Sequence, residues 1–114
     1  MSFEQFKKLC SWIYKTVDTA HFSLDDCMTV FSLYFDAYRD FTGEGHPIPS
    51  YKQIAAIMEK MPFADEEHRI TLEAEQYEVL IPAYFLIDFP NCDYNISHFF
   101  SGKIRENRYY ETLY

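Results

Sequence analysis

Apolar residues recur at intervals of three and four along most of this chain, the period of helices with one buried face. Phe3, Phe6, Leu9, Cys10, Ile13 and Val17 form the first such stripe. Ser2 stands three residues before Gln5, the spacing of a capping box. A helix is therefore expected to open there, with Glu4, Lys7, Lys8 and Lys15 facing water. Asp18 to Phe22 reads as a loop. A second helix is predicted from the Ser23 cap, with Asp25 and Asp26 at the positive end of its dipole, to about Phe41. Thr42-Gly43 ends it. This helix is apolar around most of its circumference, which predicts a central element touched on several sides.

Two glycines and two prolines make Gly43–Pro49 the clearest loop in the chain. Ser50 with Gln53 repeats the capping-box spacing and predicts a third helix, with Ile54, Ile57, Met58 and Met61 buried and Pro62 as its stop. Phe63 to Arg69 reads as a polar connection. Ile70 to Glu75 alternates like an edge strand, yet Thr71 followed by Glu73 and Glu75 also suits the start of a helix. A helix from about Leu72 to Ile87 is the preferred expectation, because nothing nearby patterns as a second strand. Pro82 should kink that helix or mark its restart, and Pro90 should end it. Asn91-Cys92-Asp93 reads as the cap of a last helical segment through Ile96–Phe100. Gly102 either ends that segment or sits within it, with 104–111 continuing it. The expected fold is all-α: one domain over residues 1–114, four to five helices around the second, and one short β element as the alternative near 70–75.

Composition agrees with a globular domain, at 48% hydrophobic and 25% charged residues. A chain of this length buries roughly two-thirds of its unfolded surface, enough for a core without metals or disulfides. Eleven Phe, ten Tyr and one Trp supply large rings for it. Ten tyrosines exceed what so small a core should hide, so some are expected in surface binding patches.

The chemistry-bearing residues are sparse. Cys10, Cys27 and Cys92 form no Cys-x-x-Cys unit and read as free thiols of a reducing compartment. The first residues lack the pattern of a signal peptide, and the longest apolar run, Val79–Ile87, is too short to span a bilayer. The expected location is the cytoplasm, away from membranes. His21, His46, His68 and His98 have no histidine or cysteine within four residues, so no metal site or cofactor is expected. His21 and His46 read as loop caps and His68 as solvated. Cys92 precedes Asp93, whose charge would make the thiol less reactive, while Cys10 and Cys27 fall on apolar stripes. No Gly-x-Ser-x-Gly elbow or glycine-rich phosphate loop occurs. The chain is therefore expected not to be an enzyme. A small enzyme built on scattered carboxylates or His98 is the third alternative.

Pro49 to Ile57 is similar to the opening helix of a helix-turn-helix unit, which implies a small DNA-binding regulator as an alternative function. In place of a basic recognition helix, however, come Asp65, Glu66, Glu67, Glu73, Glu75 and Glu78, carboxylates that would repel phosphates.

The net charge of −8 is unevenly spread. Residues 1–60 carry −2, residues 61–102 carry −7 with Arg69 as their only base, and residues 103–114 carry +1. On a helix, Glu73, Glu75 and Glu78 would place one charge every roughly 2.5–4 Å, close to the phosphate spacing of one DNA strand. Near the C-terminus, Arg105 and Arg108 stand beside Tyr109 and Tyr110, the residue types of protein-interface hot spots. Together these features point to a non-enzymatic acidic module that binds a basic protein partner rather than nucleic acid. Its most concrete form is an inhibitor docked on a nucleic-acid-handling enzyme, such as a nuclease of a defence system (anti-restriction or anti-CRISPR type). Exposed tyrosines also fit a homodimer.

Overall fold

Serine opens three of the helices, and each does so by the same exchange of hydrogen bonds. The structure, a computed structural model, describes residues 2–101. Helix α1 spans Phe3–Tyr14, α2 spans Leu24–Thr42 and α3 spans Tyr51–Lys60. The hydroxyls of Ser2, Ser23 and Ser50 accept from the backbone N–H of Gln5, Asp26 and Gln53, whose side chains accept in return from the serine N–H. Two of the N–H groups that a helix start leaves orphaned are satisfied at each site. Gly43 ends α2 in the left-handed conformation, φ 78°, and its N–H bonds the Arg39 carbonyl.

The centre of the molecule is α2, packed by α1, by α4 (Tyr77–Phe85) and by the 3-10 turn Ala74–Gln76. Phe6 meets Phe31 edge-on at 5.1 Å between ring centroids, and Tyr34 lies against Tyr84, Phe85 and Phe99. Such tilted and edge-on pairs are the geometry that ring quadrupoles favour. The apolar stripes read from the sequence are the buried ones, including Ile54, Ile57, Met58 and Met61 on α3. In the first stripe, however, Leu9 and Val17 are only half-buried and Phe3 is 47% exposed.

The architecture is mostly helical with one short β element, and that element corrects the reading of residues 63–76. Phe63–Asp65 (β1) pairs antiparallel with Ile70–Thr71 (β2), in the register Phe63 to Thr71 and Asp65 to Ile70. Phe63 to Arg69 is thus a hairpin and not a polar connection. Its first strand is too short to show a period, and what holds it is burial. Phe63, Ala64 and Leu72 are all buried, and the Leu72 N–H donates to the Pro62 carbonyl at 2.8 Å. An isolated two-stranded hairpin is marginal in water, so this docking is what makes it persist. The helix expected from Leu72 begins only after the 3-10 turn, and it stops at Phe85 rather than Ile87. It runs through Pro82, which removes the N–H that the Glu78 carbonyl would otherwise receive.

Helix α5 is a single turn, Ile96–Phe99, capped by Asn95 and not by Asn91. Asn91 instead adopts positive φ in the turn before it. Pocketed behind α5 are Tyr77, Tyr84, Phe99 and Phe100. Among the described residues, no helix is long and apolar enough to cross a membrane.

Candidate functional site

The acidic residues singled out in the sequence lie on one continuous segment, but on three different local structures. Glu66 and Glu67 occupy the tip of the hairpin and are exposed. Asp65 is half-buried and turned into that tip. It accepts from the N–H groups of Glu67 and His68 and from the His68 ring, which holds its carboxyl below the ordinary aspartate range. Its charge stabilises the turn first, as an aspartate bonding its own backbone does. His68 is accordingly a partner of Asp65, not simply a solvated side chain.

Glu73 is extended, Glu75 sits in the 3-10 turn, and only Glu78 lies on α4. The even α-helical spacing expected for these three carboxylates is therefore not realised, since a 3-10 turn rises about 2.0 Å per residue and an extended one more. All three are exposed. Glu73 lies 3.6 Å from the His21 ring, whose Nε2 also contacts the Leu72 carbonyl at 2.7 Å. Among the described residues, no lysine or arginine comes within ion-pair distance of these acids. Arg69, the one base of residues 61–101, instead lies over the Phe63 ring at 4.3 Å.

An apolar patch adjoins the acids. Val79 is 57% and Leu86 88% exposed, and Pro82 between them is exposed as well. Val79, Pro82 and the C-cap residue Leu86 recur at three and four residues, on the side of α4 that also carries Glu78. Arg105, Arg108, Tyr109 and Tyr110, the remaining residues proposed for partner binding, lie outside the described residues. Tyrosines do reach the surface: Tyr51 is exposed, and Tyr14 and Tyr38 are half-buried.

Helix α3 resembles the first helix of a helix-turn-helix in sequence only. It is followed by Met61-Pro62 and then by the hairpin, so no recognition helix stands across a short turn from it.

A second constellation was not visible in the sequence. Cys92 and His98 are six residues apart, beyond the four-residue window searched for local pairs. The turn between α4 and α5 nevertheless brings Cys92 Sγ to 3.3 Å from His98 Nδ1, and the Tyr84 hydroxyl to 2.6 Å from the same nitrogen. Asp93, expected to quiet the thiol, directs its carboxylate at the N–H and side-chain amide of Asn95, which hold it below the ordinary aspartate range. His46 is likewise engaged on both ring nitrogens, with Nδ1 to the Pro47 carbonyl and Nε2 to the Ile96 N–H. Burial lowers its pKa.

No protein-family model, curated protein or solved structure matches the chain.

Proposed function

We propose that this protein is a non-enzymatic binding module that docks on a basic protein through the surface formed by the hairpin tip and the outer side of α4. The observation that carries this reading is that one short segment exposes the carboxylates of Glu75 and Glu78 together with the uncovered Val79 and, at the end of the same helix, Leu86. Among the described residues Glu75 and Glu78 have no lysine or arginine within ion-pair distance, and such carboxylates favour a cationic surface and speed its approach. An apolar centre beside a charged rim is how protein interfaces are built. A purely solvating acidic face would not need the exposed leucine and valine. The concrete form is a cytoplasmic inhibitor that occupies the groove of a nucleic-acid-handling enzyme, where carboxylates take the place of phosphates.

The test is a pull-down from nuclease-treated lysate with the full chain and with Glu73→Lys/Glu75→Lys/Glu78→Lys. These sites are exposed, so the fold should survive with a cost within about 1 kcal/mol, the larger part from cations at the start of α4. Capture of a basic nucleic-acid-binding protein that elutes with salt, and its loss in the charge-reversed chain, is the expected result. Unchanged capture by the reversed chain, or retention only of nucleic acid, would overturn the reading.

A further inference from the structure

The turn between α4 and α5 carries a reactive-thiol site that is independent of the acidic surface. The hydrogen bonds around it can be ordered from the buried end outward. The Tyr94 carbonyl can only accept, so the buried Tyr34 hydroxyl donates to it. Burial raises the pKa of the Tyr34 and Tyr84 phenols, so each keeps its proton. The Tyr84 hydroxyl lies 2.6 Å from Nδ1 of His98. The same nitrogen lies 3.3 Å from Cys92 Sγ, which receives the backbone N–H of Tyr94 at 3.2 Å. An imidazole nitrogen in contact with a thiol is placed to take its proton as the sulfur attacks.

Backbone strain and access point the same way. Asn91 and Tyr94, on either side of Cys92, are both left-handed, at φ 59° and 56°. A tyrosine is a poor residue for that region, and such strain concentrates at functional sites. It is this conformation that aims the Tyr94 N–H at the sulfur. Cys92 and His98 are half-buried and line an open groove with Phe89, Asn95 and Ser101. The other titratable groups near the pair are Tyr84 from α4, Tyr34 from α2, Asp93 and Tyr94 from the turn, and His46 from the loop after α2.

We infer that Cys92 is a modification site, a nucleophile that attacks hydroperoxides as His98 Nδ1 takes its proton, with the Tyr94 N–H holding the sulfur in place. The sulfur forms a bond to the near peroxide oxygen as the O–O bond breaks. The thiolate becomes sulfenic acid by a two-electron oxidation, and the peroxide is reduced to an alcohol or water. The leaving oxygen takes the proton that the thiol had given up, carried on the imidazolium as N–H. Cys10 and Cys27 provide internal controls, since both are fully buried and burial pushes both thiols up to about 12.

The experiment exposes the full chain to hydrogen peroxide at pH 7 with dimedone as the sulfenic-acid trap, folded and in urea, and quantifies adducts by peptide mass spectrometry. The folded chain should label at Cys92 at least tenfold faster than the unfolded chain and faster than glutathione, while folding slows Cys10 and Cys27. His98→Gln, with an unchanged circular dichroism spectrum, should lose at least tenfold of the Cys92 rate. Cys92 labelling no faster in the folded chain than in urea would overturn the inference without recourse to any variant.

Discussion

The ring of His46 accepts a hydrogen bond from the backbone N–H of Ile96 at 3.0 Å, fifty residues further along the chain. That N–H belongs to the first residue of α5, one of the donors a helix start leaves without an internal partner. The other ring nitrogen donates to the Pro47 carbonyl, and the ring is packed by Tyr34, Phe35 and Tyr38. His46 thereby ties the loop after α2 to the start of α5, which carries His98 and follows the turn that carries Cys92.

This arrangement makes stability sensitive to mild acid. Burial holds the folded pKa of His46 below its ordinary value of 6.5. Between the lowered folded pKa and 6.5 the unfolded chain binds more protons. Stability contributed by neutral His46 is therefore intact above about 6.5 and declines as pH falls below it. Urea midpoints measured at pH 7.5 and 5.5 should show lower stability at 5.5. His46→Asn should be less stable at pH 7.5 by about 1–3 kcal/mol, from the unpaired Ile96 N–H, and should lose much of the pH dependence in this window. An equal pH dependence in both proteins would rule His46 out as the cause.

Tyr34 is fully buried on α2, and its hydroxyl donates to the Tyr94 carbonyl. Tyr34→Phe keeps the ring packing and leaves that carbonyl without its donor, at a cost of about 1–3 kcal/mol. Because the same bond holds Tyr94, whose N–H donates to Cys92 Sγ, the variant should also slow Cys92 oxidation. Denaturation and dimedone labelling of one preparation check both effects.

Gly43 has nothing within 4 Å of where a side chain would begin, and φ 78° is its only constraint. Gly43→Ala should therefore cost about 1 kcal/mol through backbone strain alone. Gly43→Asn should cost less, because asparagine tolerates the left-handed region. Thermal denaturation of the two variants tests the order, and a larger loss for Asn would reverse it.

What the sequence by itself determined about this protein is local. Capping boxes at Ser2, Ser23 and Ser50 and apolar positions three and four apart specify α1, α2 and α3, because those interactions close within one turn of chain. The excess of acid between residues 61 and 102 is also a property of sequence alone. Only the tertiary structure decided the rest. Phe63 and Ala64 form a strand because the core covers them, not because three residues carry a period. Glu73, Glu75 and Glu78 lose their helical spacing because Leu72 and Ala74 are drawn into that core and delay the start of α4. The meeting of Cys92, His98 and Tyr84 depends on two left-handed residues, one of them a tyrosine that propensity disfavours there. A strained turn of this kind is stable only when packing from α2 and α4 imposes it, and no window along the chain contains that packing.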